Sequence, residues 1–302
     1  YPEDIRMFGV SFNTTAFSWS VSGEYSYRPN LPAQVLISDV FYAGYQQAFA
    51  QRDVTIGSSG LPPALDNALA GLGLTIPATG AILPGAETFI PSFLTRYRGR
   101  TIANNNEYQP GEYVQGYEDL KVGQFVINAL KLFPSTLGAD DVTFLAEFGF
   151  THIIDMPKKG DLYFQGTLEH THPSPGADCT GFAEGTNCSS LTVVGRINPT
   201  QQTDDFADDF AAGLRFLVQF NYSNVMNSGI NIKPTLLWFE DIYGTTIFPV
   251  QNYVEGNRWM IPGIQFEIGQ AFNGTLLYQY YDGADNALQD RDNLSVSLTY
   301  NF

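Results

Sequence analysis

Apolar and polar residues alternate with a period of two along much of this chain. Residues 294–302 set Leu294, Val296, Leu298, Tyr300 and Phe302 against Ser295, Ser297, Thr299 and Asn301. Residues 17–28 place Phe17, Trp19, Val21, Gly23, Tyr25 and Tyr27 on one side, with Ser18, Ser20, Ser22, Glu24, Ser26 and Arg28 on the other. Residues 210–222 oppose Phe210, Ala212, Leu214, Phe216, Val218, Phe220 and Tyr222 to Ala211, Gly213, Arg215, Leu217, Gln219 and Asn221. At helical spacing neither of these last two segments forms a stripe, whereas successive side chains of a strand point to opposite faces. The same period recurs less cleanly at 142–152, 230–241 and 260–270. Residues 275–281 and 120–133 are predicted strands with mixed faces, and a first strand near 5–13 is joined to the second by a turn at 14–16.

Nine strands result, and their connections alternate in length. Short links fall near 14–16, 134–141, 223–229 and 271–274; long ones occupy about 29–119, 153–208, 242–257 and 282–292. A bacterial outer-membrane barrel has short periplasmic turns and long outward loops, and about 9–11 residues of a tilted strand cross a bilayer. The predicted fold class is therefore all-β, an antiparallel transmembrane β-barrel with long extracellular loops. Bacterial single-chain barrels carry an even number of strands. An odd count starting from the outside predicts that the chain is the carboxyl-terminal part of a larger barrel.

The insert at 29–119 differs in character. Residues 38–52 carry apolar positions near helical spacing with Ser38 as the expected N-cap, and 62–74 is a second short helix candidate. Ninety structureless residues would be unusual in a compact domain, so a partly helical plug or lid is expected there. Residues 1–302 are read as a single barrel domain with this insert and an extracellular loop at 153–208. Within that loop, 161–172 and 190–197 are a candidate hairpin.

Composition fits this reading. Aromatics make up 14% of the chain and charged residues 15%, below the usual quarter. No stretch of about 18 apolar residues exists, which excludes a transmembrane helix. The net charge of −16 argues against nucleic acid as a partner. Cys179 and Cys188 lie in a Pro/Gly/Ser-rich stretch and are expected to close a small disulfide ring in an oxidising compartment, since two thiols make only half a zinc site.

Three phrases, "GVSFNTTAFSWSVSGEYSYRPNLPAQV", "GYEDLKVGQ" and "LGADDVTFLAEFGFTHI", together with the aromatic carboxyl end, resemble the outer-membrane family called Domain of Unknown Function 1302. The resemblance spans most of the chain. It implies a Gram-negative outer-membrane barrel, often encoded near genes for handling lipids or hydrophobic compounds, and it supplies no catalytic residues. Members of the family are longer, with an amino-terminal half that has no counterpart here. Tyr300 and Phe302 also resemble the carboxyl-terminal signal read by the barrel assembly machinery, which can pair with an exposed last strand.

Candidate chemistry is sparse. Arg96, Arg98 and Arg100 would share one face if extended, forming a basic ladder suited to anions. Arg215, Lys233, Glu147 and Glu267 fall on polar strand faces and are expected to line the lumen, because ionised groups facing lipid cost about 2–4 kcal/mol for Arg or Lys at the midplane. Asp204, Asp205, Asp208, Asp209 and Asp282, Asp285, Asp290, Asp292 read as solvated acidic rims. Glu169, His170 and His172 lack a third metal ligand. No G-x-S-x-G, P-loop or dinucleotide fingerprint occurs.

The expected function is that of an outer-membrane channel passing small, hydrophobic or amphipathic solutes by diffusion, without catalysis, metal or cofactor. The alternative is a non-conducting structural or assembly barrel that docks periplasmic or surface partners. Expected partners are outer-membrane lipid and lipopolysaccharide, the assembly machinery, and a periplasmic protein or further copies of the chain.

Overall fold

The computed structural model describes residues 3–44, 54–56, 81–83, 92–100, 108–109, 111–166, 206–283 and 291–302. Its strands are β1 (Phe8–Ala16), β2 (Trp19–Gln34), β3 (Val54–Ile56), β4 (Ala81–Leu83), β5 (Tyr117–Pro134), β6 (Asp141–Ile154), β7 (Phe210–Asn221), β8 (Ile230–Tyr243), β9 (Arg258–Ile268), β10 (Phe272–Asp282) and β11 (Asn293–Tyr300). Two short α-helices are described, α1 (Ile37–Gly44) and α2 (Phe93–Tyr97), and one 3-10 turn, Val225–Asn227. The chain divides into two compact units: 1–32, 119–156 and 207–302, and then 33–118 and 157–206.

The first unit is one antiparallel sheet of nine described strands, in the order β1-β2-β5-β6-β7-β8-β9-β10-β11. All nine strands expected from the alternating segments are present. The sheet is not closed, and β1 and β11 are its edges. The first turn falls later than the sequence suggests. β1 runs on to Ala16, and the two-residue loop is Phe17–Ser18, both at positive φ (52° and 66°). That pair of signs matches the strand twist across a two-residue hairpin, so Phe17 belongs to the turn and not to the strand face. The last strand ends at Tyr300, with Phe302 beyond it.

Register decides which residues share a face. Across β6 and β7 the pairs are Val142–Phe220, Phe144–Val218, Ala146–Phe216, Phe148–Leu214 and Phe150–Ala212. The same side continues through Phe216–Trp238, Trp238–Met260, Ile232–Phe266, Gly274–Phe266 and Gly274–Leu298. At the other margin it includes Tyr25–Val10 and Tyr27–Phe8. The alternating segments are thus aligned into one apolar face across nine strands. That face is not covered as a soluble core would be: Leu236 and Leu276, on the interior strands β8 and β10, are each 39% exposed. Every buried aromatic among the described residues (Tyr42, Phe93, Tyr108, Phe164 and Phe206) belongs to the second unit.

Charges on the apolar face stand only near strand ends. Lys131 lies over the rings of Trp19 and Phe133, at 5.2 and 5.0 Å. At the opposite end Arg258 pairs with Glu240 (2.6 Å) and approaches Asp282 (3.8 Å), while Trp238 donates to Glu240 (3.0 Å). Between these levels the apolar-face positions of the described strands carry no Asp, Glu, Lys or Arg.

The second unit has a conventional core of Val35, Leu36, Leu94, Leu162 and Phe164. α1 begins at Ile37, so Ser38 sits inside its first turn instead of capping it, and the Ser38 hydroxyl has no hydrogen-bond partner among the described residues. The buried Asp39 carboxylate accepts from the amides of Phe93 and Leu94 (3.0 and 2.7 Å), which fixes the start of α2 against α1. Of the expected loop hairpin, 161–166 is described and forms only an isolated bridge, Val35–Phe164. Residues 45–52, 62–74, 167–172 and 190–197 lie outside the described residues.

Candidate functional site

The face opposite the apolar one collects the polar side chains. Seryl, asparaginyl and glutaminyl groups bond across strands: Ser22 to Asn128 (2.6 Å), Gln219 to Thr235 (3.0 Å), and Arg28 to Gln124. Lys233 pairs with Glu267 at 2.8 Å, and Asn231 bonds the same carboxylate. Of the residues singled out in the sequence, Arg215, Lys233, Glu147 and Glu267 all stand on this face of one sheet.

Glu147 and Arg215 are direct cross-strand partners. They do not form the ion pair this placement suggests. The Arg215 guanidinium instead donates to Asp241 (2.9 Å) and to the carbonyl of Leu214 (2.9 Å), between the rings of Phe239 and Tyr253 at 5.6 and 5.4 Å. Glu147 has no ion pair or hydrogen bond among the described residues.

Tyr253 arrives from the β8–β9 connection, 244–257, which turns back over the polar face. Its place is set by two glycines. Gly149 and Gly213 are cross-strand partners on that face. A Cβ on Gly213 would stand 2.6 Å from Cδ1 of Tyr253, and one on Gly149 would strike its hydroxyl. Two missing side chains therefore make a slot for one ring, the close approach for which glycine suits a strand interior. The loop is tied at both ends. Val254 donates to Asp241 (2.9 Å), Gly244 to Glu255 (2.7 Å), Thr245 to Asp208 (2.9 Å), and Tyr253 and Thr246 exchange bonds (2.9 and 3.0 Å). Burial raises the Tyr253 phenol above its ordinary pKa, with Arg215 pulling the other way.

Beside this loop lies a cavity of about 470 Å³, whose lining includes Glu24, Arg28, Gln124, Glu147, Arg215 and Tyr253. Sequence reasoning put Glu24 and Arg28 on the polar side without marking them as site residues. It missed Tyr253 entirely, because the only signal was two glycines interrupting separate strands.

Arg96, Arg98 and Arg100 do not form the expected ladder. Arg96 is in α2, and Gly99 at φ 68° turns the chain after it. Arg96 bonds the Gly160 carbonyl, Arg98 pairs with Glu118, and Arg100 pairs with Glu112 over the Tyr108 ring. Side chains on a helical turn do not share the alternation of a strand, and each guanidinium has its own partner in the second unit.

Asp208 and Asp292 act as local acceptors, the latter for Tyr278 (2.8 Å) and Tyr281 (3.0 Å). Cys179, Cys188, Glu169, His170, His172, Asp204, Asp205, Asp285 and Asp290 lie outside the described residues. Tyr300 stands exposed on the apolar face of the edge strand β11, and Phe302 follows it into the open.

A family model described as "Protein of unknown function (DUF1302)" matches residues 1–302. No curated protein and no solved structure matches the chain.

Proposed function

The chain thus belongs to the DUF1302 family, and we propose that it acts as an outer-membrane β-barrel through which small amphipathic or hydrophobic solutes diffuse. One observation carries this reading: nine strands in register present a continuous apolar face, uncovered and free of charge between its ends. In water such a face would be a liability, whereas hydrocarbon is its natural solvent. The eleven residues of β9, from Arg258 to Ile268, supply the scale. At about 3.4 Å per residue and a tilt of about 40°, ten steps rise about 26 Å, close to the ~25 Å apolar band of such barrels. Lys131 over Trp19 and Phe133, and Arg258 over Trp238, support the reading, since cations and aromatics gather where a membrane meets water.

Alternate pairing makes β1 and β11 run in the same direction, so pairing them directly would be parallel. An antiparallel barrel would close through an odd number of further strands, giving the even total usual for bacterial barrels. The polar face then lines the lumen, and the Tyr253 loop narrows it.

Purified protein reconstituted in planar bilayers is expected to give discrete ohmic steps. A folded barrel that is silent over many insertions would refute the channel and favour a docking role, and a detergent-independent soluble particle would refute the barrel.

A further inference from the structure

The polar face is not uniformly polar. Leu130, Leu145, Leu217, Leu237 and Ile261 are successive cross-strand partners on β5, β6, β7, β8 and β9. They form an unbroken apolar row on the side that also carries Ser22, Asn128, Gln219 and the charged pairs. None of the five is buried, so their side chains stay accessible. Such a row on a water-facing surface is costly without an apolar occupant.

The adjoining row, two residues nearer the Tyr253 loop, is Asn128, Glu147, Arg215, Phe239, Trp259 and Tyr281. Its rings form a ladder, Phe239–Trp259 at 5.9 Å and Trp259–Tyr281 at 5.7 Å between centroids. Arg215 is neutralised by Asp241 at 2.9 Å, which leaves Glu147 as the uncompensated charge of the row. Glu147 stands toward one end of this row, separated from the rings by Arg215, which already lies over Phe239. The carboxylate is therefore the group that an alkylammonium head would meet next to Leu145. The two rows are about 7 Å apart along the strands, a step that a short alkyl or aryl body spans.

We infer that these two rows form a binding site for amphipathic ammonium solutes, the cationic head at Glu147 and the apolar body on the leucine row beside it, at Leu145 and Leu217. The inference rests on the channel reading and names its solute class.

The test compares three blockers of single-channel current: hexyltrimethylammonium, tetramethylammonium and hexanesulfonate. Hexyltrimethylammonium is expected to block at a concentration at least about ten-fold lower than either of the others, because only it engages both rows. Leu145→Ser or Leu217→Ser should remove the advantage over tetramethylammonium. Glu147→Gln should remove the advantage over hexanesulfonate. Equal potency of the three on the unaltered protein overturns the inference while leaving a conducting barrel standing. Potency differences untouched by all of the substitutions overturn it as well, and a protein that passes no current overturns both the site and the channel.

Discussion

The ring of Tyr253 occupies the space that a side chain at Gly213 would need: a Cβ there would lie 2.6 Å from Cδ1. A loop residue and a strand residue forty positions apart are thereby made complementary. Gly213→Ala is expected to expel the ring or strain the strand, at about 1–3 kcal/mol as for other overpacked sites. Tyr253→Gly removes the obstruction without that strain. Single-channel recordings should show a larger conductance for Tyr253→Gly, by roughly 1.5- to 3-fold if the ring is the narrowest point. An unchanged conductance would mean that the lumen narrows elsewhere.

Phe216, Phe266 and Leu298 share the apolar side, and Gln219, Glu267 and Ser297 the other. Spin labels at the first three positions should be relaxed by a lipid-soluble agent, and labels at the second three by a water-soluble one. Phe216→Arg should cost about 2–4 kcal/mol in a folding titration and Gln219→Arg much less. The reverse order would place lipid on the wrong side.

Asp241 holds the loop from two directions, accepting from Arg215 and from the amide of Val254. Asp241→Ala leaves Arg215 without its counter-ion and frees one loop bond, a loss of about 1–3 kcal/mol by analogy with other partly buried partners. The released loop should make the open-channel current noisier, and protease should cut within 244–257 faster than in the unaltered protein. Quiet current and unchanged cleavage would show that the other ties suffice.

Asp140, in the turn between β5 and β6, is held below the ordinary carboxylate range by the Ser223 hydroxyl first and by the Ser223 amide, which donates at 2.7 Å. A carboxylate depressed in the folded state adds stability above its unfolded pKa, and that contribution is lost as pH falls through the depressed folded value. This turn should therefore loosen on the acid side. Ser223→Ala should move the Asp140 titration, followed by carboxyl NMR, upward toward its ordinary position; an unmoved titration would remove the hydroxyl as the cause.

In the second unit, burial pushes the Tyr42 phenol up from 10.0 to about 12. A phenol kept neutral by folding contributes stability below pH 10 that is lost as pH rises through the folded value. Tyr42→Phe should flatten that alkaline loss in a denaturation series, and an undiminished loss would assign it to another group.

Much of the first unit was legible because β-strand geometry is local. The alternation of Leu294 to Tyr300, or of Phe210 to Phe220, needs no partner to be read, and the lengths of the links expose their alternation directly. The short helices were less legible. Ser38 looked like a cap, but the α1 boundary is set by packing among Leu36, Asp39 and α2. The Arg96–Arg98–Arg100 spacing suggested a ladder only under an extended backbone, which the helical turn of α2 does not supply.

From the sequence alone came the nine strands, their faces and the alternation of turns and loops, since a period of two is a property of each strand by itself. Tertiary structure decided which residues meet. Register brought Leu130, Leu145, Leu217, Leu237 and Ile261 into one row, set Gly149 beside Gly213 and turned Arg215 from Glu147 toward Asp241. A shift of one residue in any pairing would have exchanged the faces of a whole strand. Such positions are fixed by hydrogen-bonded neighbours far away in the chain, and no local pattern encodes them.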